Sequence, residues 1–420
     1  MRFSTAISLL ILCLLPGKFL ITTLPFYGFA WASSLILYFE VALLLVCLFY
    51  AVTFYERSSF SRTFMYLLLF YFCYYLFVFY QIFAGGDLLR SNMQEVPSSN
   101  VALFRDFFIQ TSTMLLVGMY RNYINFNLVA KVTPLVTFVL FFAYYSKVGY
   151  LSYGIFDIED SKDFRESGLI VSFTLARHFA IAFFCYVAYK QGVQRKGPLS
   201  EIISRVIAIV LVIGLVLTIK RGPILSLLFT WIYVYLVRTS ESRLVLSVIL
   251  TAIMVFLFGN LALDLGEHYA SGLIERFLAI SHGGSGRFGS SDSVFVLALK
   301  QIAESPLFGS CFRILTGRFR GGYPHNLILE LMMTFGVLLT AAFVPLFLRS
   351  IKLCKQLINA GGSQALSAMC FLYVLCSLMT SDSIFLKPDF WLFFAIICNH
   401  NLESENESIS IGNYSHLWRW

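Results

Sequence analysis

The chain has 420 residues, 58% of them hydrophobic and 13% charged, with a mean hydropathy of +0.77 and a formal net charge of +8. A soluble domain carries roughly 45–50% apolar and 25% charged residues, so this composition excludes a water-soluble globular protein and leaves lipid as the solvent. The positive charge does not point to nucleic acid, because the basic residues are scattered singly in short loops, where Lys and Arg set membrane orientation.

Apolar stretches near the ~20 residues that a helix needs to cross a bilayer recur along the whole length. Runs such as 207–217 and 244–258 do not alternate, which excludes a β-barrel. The expected class is all-α, a polytopic membrane protein with about twelve transmembrane helices. In chain order the predicted spans lie near 4–24, 31–54, 63–84, 103–120, 132–148, 168–189, 202–219, 223–238, 244–262, 325–348, 364–380 and 385–399. The first opens with Arg2 and an apolar run to Leu15; no small-x-small site follows and Lys18 interrupts, so it reads as an uncleaved span. The fourth carries Arg105 and Asp106 at its start. Residues 1–400 form one transmembrane domain, and 401–420 form a polar cytoplasmic tail.

With the N-terminus inside, the cytoplasmic loops carry Arg57 and Arg62, Arg121 and Lys131, Lys190, Arg195 and Lys196, Arg238 and Arg243, and Arg349, Lys352 and Lys355. That is the positive-inside bias. One large loop, at about 263–324, then lies outside. Its arginines are exempt from the bias because the loop is long. The short turn Lys220-Arg221-Gly222 is not exempt. It is either an interfacial anchor or misassigned span, or an anion site at the outer membrane surface.

Within the external loop, 292–304 has helical spacing, with Val294, Phe295, Leu297, Ala298 and Ile302 on one face and Lys300 and Glu304 opposite. It reads as an amphipathic helix at the interface, ended by Pro306. Gly283-Gly284-Ser285-Gly286 before it is flexible enough to let backbone approach a ligand. The nine cysteines lie mostly in apolar stretches and form no CxxC pair. Cys311 alone falls in the long loop. They give no disulfide framework and no metal site.

The candidate chemistry gathers between 286 and 336. Pro324 suits a first helical turn, which would put His325 in the first turn of the tenth span, beside Asn326. Unpaired N–H groups there favour a neutral imidazole that can accept a proton; a merely interfacial histidine beside a helix cap is the plainer alternative. Arg221, Arg287, Arg318 and Arg320 share one membrane face in this topology, with Lys220 beside them. Guanidinium binds phosphate bidentately and keeps its charge, though Arg318 and Arg320 equally suit solvent or lipid headgroups. Glu330 lies one helical turn into the tenth span, and carboxylates in membrane spans are functional candidates by default. No DxD pair and no P-loop are present, so a metal-independent reaction with a lipid-linked donor fits better than one using a nucleotide sugar.

Arg221-Gly222 opening a span, Gly286-Arg287 before an amphipathic helix, Pro306-Leu307-Phe308-Gly309, and Pro324-His325-Asn326 followed by Gly336 together make the chain resemble the O-antigen polymerase and O-antigen ligase superfamily. The resemblance implies a GT-C-like fold in the bacterial inner membrane with its large loop and active site in the periplasm. It implies a glycosyltransferase without metal or other cofactor, acting on oligosaccharide repeat units carried by undecaprenyl pyrophosphate. It implies that Arg221 and Arg287 hold the pyrophosphate and that His325 is catalytic. Lys220, Arg318, Arg320, Asn326 and Glu330 would bind substrate. A chain-length regulator and a flippase of the same pathway would be partners, together with membrane lipid. The ligase pattern carries a second glycine soon after the position of Gly336; here Val337-Leu338-Leu339 follows, which favours polymerase over ligase. A lipid-linked oligosaccharide flippase or other transporter is the alternative of another class. It should show repeated halves and charge at mid-membrane, and the sequence has no repeat.

Overall fold

The computed structural model describes residues 8, 11, 45, 61–84, 100–147, 172–192, 198–217, 221–238, 293–317, 319–380 and 383–400. The side chains of some of these, Arg221 among them, lie outside the description. The described residues contain α-helices and short 3-10 turns and no strand. In chain order the helices are α1 (Arg62–Ala84), α2 (Asn100–Met119), α3 (Phe126–Lys147), α4 (Ser172–Gly192), α5 (Pro198–Leu217), α6 (Arg221–Arg238), α7 (Val294–Glu304), α8 (Leu327–Ala360), α9 (Gly362–Thr380) and α10 (Pro388–Cys398).

Nine of the expected spans fall on these helices; those near 4–24 and 31–54 lie outside the described residues apart from Ser8, Ile11 and Leu45, and that near 244–262 lies wholly outside them. Among the described residues, two helices are long and apolar enough to cross a membrane: Arg62–Phe83, with mean hydropathy 1.7, and Leu327–Ala360, with mean hydropathy 2.2. On α1, Met65, Tyr66, Leu69, Phe72, Leu76, Phe79, Tyr80 and Phe83 are exposed along one stripe. Water rarely faces so long an apolar stripe, whereas hydrocarbon suits it.

Helix α8 runs further than expected. The basic residues Arg349, Lys352 and Lys355 belong to its last turns rather than to a loop. Pro345 lies within it, and Gly361 follows its end at φ 79.

The core centres on α9 and α10. Helix α10 is apolar all round, and every residue from Asp389 to Cys398 is buried. That pattern marks a helix enclosed by others. It packs against α2, α9 and α1, while α9 also packs against α4, α6 and α8. Gly118 of α2 permits the closest of these approaches: a Cβ there would come within 2.4 Å of the Ala395 Cβ. Trp391 stands among Phe70, Tyr71, Tyr74 and Tyr75 of α1, with ring centroids 4.8–6.0 Å apart. Aromatic pairs at such spacing add stability beyond area burial.

Hydrogen bonds fix the direction of the helices. At one end, Ser61 donates to the Cys398 carbonyl, Asn399 Nδ2 donates to the Met119 carbonyl at 2.8 Å, and the Arg238 guanidinium donates to the Ile358 carbonyl at 3.0 and 3.2 Å. At the other, Gln81 reaches Thr334, Arg177 reaches Asp389, and Ser226 lies 3.4 Å from Thr380. The second end carries the start of α8 and is the site end.

Candidate functional site

The site end is built around a break in α8. Gly336 has φ 73 and ψ 179, so two helical segments meet there at a kink. That conformation is essentially open only to glycine. A kink frees backbone groups that must find other partners. They find them in the turn at 305–310. Val337 N donates to the Pro306 carbonyl at 2.7 Å, and Ser310 N donates to the Met333 carbonyl at 2.8 Å. Gln81 Nε2, from α1, donates to the Thr334 carbonyl at 3.3 Å. A Cβ on Gly336 would sit 2.2 Å from Leu307 backbone atoms, and one on Gly309 2.6 Å from Met333 and Thr334 backbone atoms. Pro306-Leu307-Phe308-Gly309 and Gly336, separate in sequence, are therefore one interlocked unit.

The segment after this turn is not the exposed polar loop that the sequence suggests. Cys311, Phe312, Arg313 and Ile314 are all buried. Two glutamines make this possible by satisfying its backbone. Gln301 of α7 donates to the Cys311 and Arg313 carbonyls and accepts from Leu315 N, at 3.1, 3.0 and 2.9 Å. Gln81 Oε1 accepts from Phe312 N at 2.9 Å. Cys311 is a free thiol, and burial pushes it above its ordinary range.

Helix α7 begins at Val294, capped by Ser293. Its apolar face, Val294, Leu297, Ala298 and Ile302, packs on Ile314 and Met333. That face is thus covered by protein, where a face laid on lipid was expected.

The start of α8 also differs from expectation. Asn326, not Pro324, opens the helix: its Oδ1 accepts from Leu329 N at 3.1 Å. Asn is a favoured cap because this bond satisfies an otherwise orphaned N–H. Asn326 Nδ2 also donates to the Met379 carbonyl at 3.3 Å, tying α8 to the end of α9. His325 lies before the cap, outside the first turn. It is half-buried with φ 54, an uncommon conformation for a residue with a side chain. Its ring and that of Tyr323 form a T-shaped pair with centroids 4.4 Å apart.

Glu330 lies in the first turn of α8 and is 0% exposed. Its carboxylate accepts from Tyr74 at 3.2 Å, Ser383 at 2.7 Å and Ile384 N at 3.2 Å. These three bonds tie the start of α8 to α1 and to the turn before α10. Arg313 lies within the electrostatic reach of Glu330. The Arg313 guanidinium sits 5.3 Å from the Phe312 and Tyr323 rings and 6.0 Å from Phe385. Burial pushes it below its ordinary range and the Glu330 charge pulls it back; a guanidinium stays protonated regardless.

Arg221 is the first residue of α6. One turn on, Ser226 meets Thr380, the neighbour of the Met379 carbonyl that Asn326 holds. The start of α6 and the start of α8 therefore share one end of the bundle. Arg320 is exposed in the turn at 319–321. Lys220, Arg287 and Arg318 lie outside the described residues.

Sequence reasoning missed Arg313, Gln81, Gln301 and the Arg177–Asp389 ion pair, closed at 3.1 Å between α4 and α10. A signal existed for two of them, since Gln81 and Arg177 are polar residues inside predicted spans. No protein family matches the chain, and no curated protein matches it.

Proposed function

We propose that this chain is an O-antigen-type polymerase. It moves a growing glycan from undecaprenyl pyrophosphate onto a new lipid-linked repeat unit at the outer face of the inner membrane. The observation that carries this reading is convergence. Three of the four elements on which the sequence resemblance rests gather at one end of the bundle, Gly286-Arg287 lying outside the described residues: the 306–309 turn locked into the Gly336 kink, His325-Asn326 at the start of α8, and the start of α6 at Arg221. The opposite end carries Arg62 at the start of α1, Arg121 after α2 and Arg238 at the end of α6. Basic residues there support an outward-facing site end.

In this mechanism Arg221 and Arg287 hold the donor pyrophosphate. Their charge stabilises the leaving group as it gains negative charge. His325 accepts the proton of the acceptor sugar hydroxyl. The hydroxyl oxygen bonds to the donor anomeric carbon as the bond from that carbon to the pyrophosphate oxygen breaks. Undecaprenyl pyrophosphate departs, and single displacement inverts the anomeric centre. Arg318 and Arg320 hold the oligosaccharide, and Asn326 sets the start of α8 beneath it. Val337-Leu338-Leu339 after the kink favours polymerase over ligase.

Lipopolysaccharide from a strain of the native host lacking this chain tests the reading on a gel. Core bearing a single repeat unit supports a polymerase. Core bearing none points to a ligase, or to a flippase if lipid-linked units accumulate inside. An unchanged ladder rules out O-antigen as the product.

A further inference from the structure

We infer that Arg313, a cation buried in the electrostatic reach of Glu330, positions His325 through the ring of Tyr323. The inference rests on the transferase reading above. Its starting point is that the two charges are held by different parts of the fold. Glu330 is fixed from outside the loop, by Tyr74 of α1 and by Ser383 and Ile384 N in the turn before α10. Arg313 belongs to the loop segment that Gln301 and Gln81 pull into the core.

Arg313 is only 7% exposed, and its Nε has no hydrogen-bond partner among the described residues. A buried charge without compensation is costly. Here compensation comes from the field of Glu330 and from the faces of three aromatic rings. Rings attract a cation over their faces most strongly when water is excluded. One of those rings, Tyr323, also meets the imidazole of His325 at 4.4 Å. Tyr323 therefore contacts both the fixed cation and the histidine.

The histidine needs such support. Its φ of 54 is a strained conformation for a residue with a side chain and persists only where the surroundings over-determine it. Asn326 fixes the chain on one side by capping α8. The Arg313–Tyr323 stack fixes it on the other. In this arrangement Arg313 is a positioning residue, and His325 is the group it places.

The test measures transfer between undecaprenyl-pyrophosphate-linked repeat units by the purified full-length chain. Arg313→Met and Tyr323→Leu should lower kcat by up to about 100-fold, the loss expected from a misplaced catalytic group, with KM for the acceptor unchanged. Tyr323→Phe keeps the ring and should retain kcat. Arg313→Lys keeps the cation and should retain more activity than Arg313→Met, which guards against a simple folding failure. A loss confined to KM, or a Tyr323→Leu variant with full kcat, overturns the inference. A second readout does not need turnover. In a chain with its native cysteines replaced and carrying His325→Cys, Arg313→Met should change the maleimide labelling rate at position 325 several-fold. An unchanged rate overturns the inference. If the unsubstituted chain transfers nothing, the polymerase reading fails and this labelling rate alone decides the positioning role.

Discussion

The N–H of Val337 donates to the carbonyl of Pro306 at 2.7 Å, and that bond joins the kink of α8 to the turn after α7. Without it, a backbone donor exposed by the kink would be left unpaired in an apolar setting, at a cost of ~1–3 kcal/mol. The kink and the turn therefore stand or fall together.

Gly336→Ala tests that dependence. It places a side chain in a glycine-only conformation and against the Leu307 backbone, and should cost about 3 kcal/mol or more. Gly309→Ala should behave similarly. Gly362→Ala is the contrast: φ is also positive there, but nothing lies within 4 Å, so the cost should stay near 1–2 kcal/mol. Thermal unfolding of the purified variants in detergent measures all three. Equal midpoints for Gly336→Ala and Gly362→Ala would refute the interlock.

The buried charges make a different prediction. Glu330→Leu removes the carboxylate whose field offsets the buried Arg313 charge, together with its bonds to Tyr74, Ser383 and Ile384 N, and should lower the unfolding midpoint. Adding Arg313→Met should restore part of that loss, because an apolar replacement of both charges removes the desolvation cost. Unfolding midpoints of the single and double variants decide the matter. A double variant less stable than Glu330→Leu would contradict the coupling.

Asn326 makes two separable contacts. Asn326→Ala loses both the cap and the bond to Met379 and should cost about 1 kcal/mol or somewhat more. Asn326→Asp keeps the cap acceptor but cannot donate to the Met379 carbonyl. Its stability should fall between those of the unsubstituted chain and Asn326→Ala, as read by the same unfolding measurement.

His400, just beyond α10, carries a pH signature. Burial, and then the charge of Arg121, push its imidazole down to about 3. The unfolded chain therefore takes up this proton before the folded one does. Its contribution to stability is complete above the ordinary histidine range and is lost as pH falls from about 6.5 towards 3. His400→Gln should flatten the decline in unfolding midpoint across that window; an identical decline would show that His400 has no part in it.

Much of the fold was legible because local pattern controls it. Nine expected spans fall on described helices, and α7 starts within two residues of its expected start, because apolar spacing and a serine cap are local signals. Gly336 and the 306–309 turn stood out as motifs, but their contact did not, since nothing local couples positions so far apart in sequence. The burial of 311–314 was hidden for the same reason. Its neighbours are polar, and the glutamines that satisfy its backbone come from α1 and α7. The first turn of α8 was misplaced by two residues because Pro324 and Asn326 both carry helix-start signals, and the side chain that makes the capping bond decided between them.

The most direct measurement of the central claim is transfer by the purified chain in lipid nanodiscs, supplied with undecaprenyl-pyrophosphate-linked repeat units from the native host. The account predicts a ladder of lengthening glycans without added metal or nucleotide. It also predicts that His325→Ala and Arg221→Ala each slow that ladder by at least about 100-fold. No ladder from the unsubstituted chain, or a full ladder from His325→Ala, would contradict it.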